Sequence, residues 1–202
     1  MRILLTAAVA SLAIATAACQ KAAENEGASA NTTMTNDAVM NDAAMNDGMA
    51  NDMNMANGMV PAMSSDFVST VAASDMFEIA SGKLAQANAT KEENKKFGAM
   101  LVADHTKSST ELKAAAAAAT PAVTPPAAMP AELQAKLDAL QAAKGAEFDK
   151  LFVQQQKENH QIALKTLQSY ASGGDAPSLK AFAGKTAPVV QHHLDMLNGM
   201  KM

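Results

Sequence analysis

The stretch KEENKKFGAMLVADHTKSSTELKAAAAAA, residues 91–119, decides the fold class of this chain. Its apolar residues recur at the spacing that places side chains on one face of an α-helix. That face carries Phe97, Leu101, His105, Ser108 and Leu112. The stretch therefore predicts a long amphipathic helix with a histidine in its apolar row.

The same spacing occurs on both sides of this stretch and predicts three further helices. One starts at Ser64 or Ser65, either of which can cap a helix N-terminus. Another runs from Pro130 to Gly173, and the last starts near Pro177. Because no segment shows the sustained alternation that is typical of strands, the sequence predicts an all-α domain, a four-helix bundle over residues 64–202.

The N-terminal part of the chain differs from this domain in charge and composition. From Ser64 onward the bases and acids balance, so the domain has no basic field for nucleic acid. Residues 19–63 contain six acids against the single base Lys21, and they contain no aromatic residue. Such a segment buries too little apolar surface to offset the entropy of ordering, so we predict a disordered low-complexity tether.

Methionine is concentrated in the same segment, which holds eight of the fifteen methionines of the chain between Met34 and Met63. Thioethers are soft ligands that suit Cu(I), so the tail is one candidate for metal binding. The alternative is a low-complexity repeat, because Asn-Asp recurs there every five residues from 36 to 52 without a histidine or cysteine ligand nearby.

The first residues resemble an export signal. Within residues 1–18, Arg2 gives the positive start and Ile3–Ala15 the apolar stretch, and small residues then precede Cys19. This arrangement is similar to the lipobox of bacterial lipoproteins and implies lipid attachment at Cys19, with Gln20 pointing to the outer membrane. The expected location is the periplasmic side of that membrane; ordinary signal cleavage beside a chance cysteine would leave the protein in the periplasm.

The four histidines of the chain are the strongest candidates for a site. His105, His160 and the pair His192 and His193 fall in three different predicted helices, and Glu78 falls in the fourth. Helical bundles build metal sites from inward side chains of several helices. We therefore predict Glu78, His105, His160 and His193 as ligands of a divalent metal.

Two further side chains, Asp104 and His192, are expected to contact these ligands without binding the metal themselves. Nitrogen and oxygen ligands suit zinc, copper or iron. The alternative for each histidine is a buried ring that is hydrogen-bonded within a network fixing the register of the helices.

Several short motifs stand in a characteristic order along the chain. They are Phe67-Val68, Ala72, Glu78, Gly82-Lys83-Leu84-Ala85, Phe97, Met100 to Asp104-His105, Gly145, Phe148-Asp149, Gln155, His160, Phe182-Ala183, Pro188 and His193-Leu194. Together they resemble a bacterial envelope family, the domain of unknown function 4142. The resemblance implies a ferritin-like four-helix bundle and an exported protein, and it implies no particular activity.

Ferritin-like metal sites use Glu-x-x-His pairs, and this chain departs from that pattern. Val102, Lys157 and Val190 stand three residues before His105, His160 and His193, respectively. Di-iron oxidase chemistry is therefore not expected, and we predict no catalytic residues. Two classes of function remain, a non-catalytic lipid-anchored envelope bundle with unknown protein partners and a periplasmic metal-binding protein.

Overall fold

The computed structural model describes residues 62–200, in which the chain forms five helices and no strand. They are α1 (Ser64–Asn88), α2 (Glu92–Ala117), α3 (Ala131–Ala142), α4 (Gly145–Gly173) and α5 (Pro177–Gly199). The predicted all-α class is confirmed. The predicted signal peptide, Cys19 and nearly all of the methionine-rich tether lie outside the described residues.

Four long helices pack side by side, with α1 mainly against α2 and α4 mainly against α5. Contacts between the pairs give the helix directions. Ser64 at the start of α1 meets Tyr170 near the end of α4, and Ser81 further along α1 meets Gln156, so α1 and α4 are antiparallel. Ser178 and Lys185 of α5 bond to residues in the second half of α2.

The connection between α2 and α4 has to return along the length of the bundle. It comprises residues 118–144 and includes the short helix α3. Leu133 of α3 packs on Phe77 of α1, and Leu140 packs with Phe148 at the start of α4. The crossover therefore runs beside α1 and covers the contact between α1 and α4.

The predicted single helix from Pro130 to Gly173 is wrong, because the structure divides it into α3 and α4. Ala143 is extended, and Gly145 has a φ of 59°, a left-handed value that glycine adopts at no steric cost. The predicted serine cap on α1 is also wrong. The N-cap residue is Met63 without a side-chain hydrogen bond, and Ser64 instead contacts Tyr170 and Asp175.

Two apolar clusters fill the bundle at different levels. The first surrounds Phe67, Tyr170 and Phe182, and the second surrounds Phe97 and Phe152. Polar side chains of all four long helices are also buried in the bundle, and they include Asp75, Glu78, His105, Asn159, His160 and His193. None of the helices in residues 62–200 combines the length and apolar character that a membrane span requires.

Candidate metal centre

Three histidines from three helices meet inside the bundle. His105 lies on α2, His160 on α4 and His193 on α5, and their exposed fractions are 5%, 1% and 1%. Each ring is turned inward because it shares a helix face with apolar residues that form the core, as His105 does with Leu101 and Leu112. The apolar stripes that stabilise the bundle thus also bring the imidazoles together.

The three rings are close enough to share one ion. One ligand nitrogen from each lies within 4.8 Å of the others, and within residues 62–200 this is the one such group of three potential ligands. Nε2 of His160 and Nδ1 of His193 are 3.2 Å apart. Tetrahedral zinc with bonds near 2.0–2.1 Å requires nitrogens about 3.3 Å apart, so one pair already has that spacing.

The other nitrogen of each ring bonds to an oxygen acceptor. Nδ1 of His105 lies 2.7 Å from Oδ1 of Asp75, and Nε2 of His193 lies 2.9 Å from Oδ2 of Asp104. Nδ1 of His160 lies 2.9 Å from the backbone oxygen of Gln156. A carboxylate or carbonyl oxygen can only accept, so these three nitrogens carry the ring protons.

In the neutral rings this assignment leaves three lone pairs facing one another. They belong to Nε2 of His105, Nε2 of His160 and Nδ1 of His193, and Nε2 of His105 has no hydrogen-bond partner in the described part of the chain. Metal-bound histidines almost always donate their second nitrogen to a carboxylate or backbone carbonyl. A cation, either a proton or a metal ion, would satisfy this arrangement.

The electrostatics of the cluster differ from ring to ring. Burial, together with His105 and His193, lowers the pKa of His160 to about 3. Burial also lowers the pKa of His193 despite its bond to Asp104. Burial acts in the same direction on His105, but the bond to Asp75 and the nearby Glu78 outweigh it and raise its pKa. A proton in the cluster is therefore held mainly by His105.

Glu78, the fourth predicted ligand, lies beside the triad but outside the group of converging atoms. Its Oε1 is 3.5 Å from Nδ1 of His160, the nitrogen that donates to Gln156, and it also accepts from Asn159. Its Oε2 is buried without a partner. Burial raises the pKa of this carboxyl to about 7, although His105 and Asn159 act to lower it.

The two predicted supporting residues have different positions. Asp104 contacts His193 of another helix, although it is adjacent to His105 in sequence. His192 is exposed on α5, because consecutive helical residues point in different directions. Its predicted role beside the triad is therefore not supported by its position.

Sequence reasoning missed the polar residues that surround the triad on α1 and α4. Asp75 accepts from Ser109 as well as contacting His105. Asn159 donates to Ser74 at 3.0 Å, and Gln156 donates to Ser81 at 2.9 Å. One available signal was the spacing of Asp75 and Glu78, since helical residues three apart share a face.

An opening between α2 and α5 reaches two of the three rings. His105 and His193 line a pocket whose rim carries Lys107, Glu111 and Lys185. Lys185 and Glu111 form an ion pair of 2.8 Å across it. The pocket therefore borders the side chains of two of the three triad residues.

Comparison with known proteins gives a family and no individual relative. The family model of the domain of unknown function (DUF4142) matches residues 49–200, which include all five helices. No curated protein and no solved structure matches the chain. The match confirms the resemblance seen in the motifs: the chain belongs to the family of the domain of unknown function DUF4142.

Proposed function

We propose that this protein binds one divalent transition-metal ion through His105, His160 and His193. The observation that carries the proposal is the hydrogen-bond pattern, in which every outer ring nitrogen donates to an oxygen and, in the neutral rings, every inner nitrogen is left with a lone pair. Without a cation, three lone pairs would face each other in a buried site, which is unfavourable.

Zinc is the first candidate for this ion, and copper(II) is the second. Imidazole nitrogen suits both metals, and three histidines are an established zinc ligand set. The motif of di-iron bundles is missing, since Val102, Lys157 and Val190 replace the glutamates of Glu-x-x-His. We therefore propose a metal-binding or metal-buffering role and no oxidase activity.

The proposed fold is ferritin-like. Two antiparallel helix pairs, α1 with α2 and α4 with α5, are joined by the single long connection of residues 118–144. Bundles of the ferritin-like class have one such crossover. The helix order and directions support this assignment.

The proposed setting is the bacterial envelope. An apolar N-terminal stretch after Arg2 and small residues before Cys19 support export, and they support a lipid anchor at Cys19 on the periplasmic side of the outer membrane. A metal-binding domain anchored in this way would be held on the periplasmic side of that membrane.

A second candidate is a non-catalytic bundle in which the buried polar residues serve structure alone. Asn159 with Ser74, and Gln156 with Ser81, connect α4 to α1 through buried hydrogen bonds. Such networks fix helix register when every member is satisfied. This candidate leaves the inner nitrogen of His105 without a partner, whereas an ion bound by the triad would use it.

Zinc titration of the full chain, purified without a histidine tag and stripped with chelator, separates the two candidates. We expect one zinc per chain by elemental analysis, and we expect zinc to raise the melting temperature, because an ion that binds only the folded state stabilises it. Magnesium serves as the control, since it prefers oxygen ligands. A protein that holds no zinc and shows no shift would leave the structural network as the explanation.

A further inference from the structure

We infer that the metal centre is an open one, in which the fourth coordination position faces the pocket between α2 and α5 and holds an exchangeable small ligand. The ligand would be water or a small monodentate anion. This inference rests on the proposed metal-binding function. It goes further because structural zinc sites are closed by four protein ligands, whereas sites with three keep a position for water or substrate.

The first argument is that Glu78 does not close the site. Its Oε1 lies next to Nδ1 of His160, whereas the converging nitrogen of that ring is Nε2, which faces His193. The two nitrogens of an imidazole point in different directions, so the carboxylate and the shared centre lie on different sides of the ring. Asn159 bonds to the same carboxylate oxygen and keeps it there.

The second argument is the position of the pocket. It is lined by His105 and His193, which supply two of the three inner nitrogens, and by Ser108, Thr186, Val189 and Val190. Its volume of about 70 Å³ exceeds the space that one water requires. A ligand on an ion held by the triad therefore has room on this side of the bundle.

The third argument is an unsatisfied hydroxyl on a residue that lines the same pocket. Ser108 is 8% exposed, and its Oγ is buried without a hydrogen-bond partner. Ser108 lies one helical turn after His105, so both residues share one face of α2. Because buried polar groups are normally paired, a metal-bound water or anion would supply the partner that this hydroxyl lacks.

The charges at the pocket favour an anion once the ion is present. Lys107 and Lys185 are matched by Asp104 and Glu111 around the opening. The ion itself supplies the positive charge that an anion would meet, although Asp75 and Glu78 beside the triad offset part of it. An anion can therefore replace the bound water. One metal–anion bond forms as the metal–water bond breaks.

Cobalt(II) and azide provide the test, because the visible spectrum of cobalt reports its ligands. We expect azide to change the spectrum of the cobalt-loaded full chain in a saturable way. Val189→Trp places a large ring at the pocket. Met196→Trp is the matched control on the same helix, because the two residues are similarly exposed, at 41% and 37%, and only Val189 lines the pocket. We expect V189W to weaken azide binding about tenfold or more and M196W to leave it unchanged.

The outcomes separate the inference from the function on which it rests. A cobalt spectrum that azide leaves unchanged would overturn the open site and leave metal binding intact, as would equal azide affinities in the two tryptophan variants. A chain that takes up no cobalt would overturn both. If V189W does not load cobalt, Ser108→Ala gives a second measurement, and we expect about threefold weaker azide binding from loss of one hydrogen bond.

Discussion

At the scale of single residues, the protonation of three imidazoles decides what the bundle can bind. One N–H of each ring donates a hydrogen bond to an oxygen, which belongs to Asp75, Asp104 or the carbonyl of Gln156. These acceptors fix which nitrogen of each histidine faces inward. Oxygen partners of this kind orient metal ligands and raise their basicity. The residues that accept these hydrogen bonds are therefore as informative about the binding chemistry of the triad as the histidines themselves.

Asp75→Ala should destabilise the metal-free protein by about 1–3 kcal/mol, because it leaves Nδ1 of His105 buried without an acceptor. Urea unfolding measures the change. Asp195→Ala is the control, since Asp195 is exposed and accepts a hydrogen bond from Gln191 of the same helix, and we expect it to change stability by less than about 0.5 kcal/mol. Equal effects of the two substitutions would count against a role for Asp75 in holding His105.

The pH dependence of stability should carry the signature of His160. Its pKa falls from 6.5 to about 3 on folding, so its contribution is fully present above pH 6.5 and is lost as the pH falls toward 3. Glu78 acts in the opposite sense, because its pKa rises from 4.5 to about 7 and its contribution declines as the pH rises through that range.

We expect His160→Gln to lose less stability than the wild type when the metal-free protein is taken from pH 6.5 to pH 4.5. Glu78 is present in both proteins, so the difference between them isolates the histidine. Unfolding free energies from urea titrations at several pH values give the comparison. Parallel curves for the two proteins would show that His160 binds protons equally in the folded and unfolded states.

At the scale of helices, α1 and α2 come into close backbone contact at a pair of glycines. A Cβ atom on Gly98 would lie 2.6 Å from the backbone oxygen of Gly82, and one on Gly82 would lie 2.7 Å from the oxygen of Gly98. Neither backbone can move without shifting a helix. This crossing therefore sets how near His105 of α2 comes to Asp75 of α1.

Gly98→Ala should lower the free energy of unfolding by about 1–3 kcal/mol, since it overpacks a backbone contact. Gly184→Ala is the matched control within a helix, because the nearest atom to its added Cβ would be 4.0 Å away. We expect this second change to stabilise the protein by up to about 1 kcal/mol through helix propensity. A Gly98→Ala variant as stable as the wild type would contradict the close packing of α1 and α2.

The sequence predicted the helix faces well because burial follows helical spacing. Leu101, His105 and Leu112 are all buried as their spacing indicates. The break before Gly145 was missed, since the apolar pattern continues through it and the extended conformation of Ala143 leaves no periodic signal. The partner of Asp104 was missed for a different reason: it depends on how α2 and α5 pack, which spacing within one helix does not determine.

At the scale of the whole molecule, the family match and the helical domain do not begin at the same residue. The match starts at residue 49, whereas α1 starts at Ser64. The predicted tether of residues 19–63 is thus partly included in the family's own sequence pattern. The predicted anchor at Cys19 would join this tether to the membrane.

Cys19→Ser should release the protein from the membrane fraction into the soluble periplasmic fraction, because the chain then lacks its acylated residue. Fractionation followed by intact-mass measurement tests this. Ser64→Ala provides a control that leaves the cysteine in place. A wild-type mass with an unmodified thiol and cleavage at another residue would contradict the lipid anchor.

The most direct test of the central claim compares two adjacent histidines. His193 is buried in the triad and His192 is exposed beside it, so the two alanine variants remove the same side chain from the same helix. We expect zinc affinity to fall by more than about 100-fold in His193→Ala, because loss of a ligand exceeds the 10–100-fold effect of losing its outer partner. We expect zinc affinity to stay unchanged in His192→Ala. Equal zinc affinities in the two variants would contradict the proposed centre.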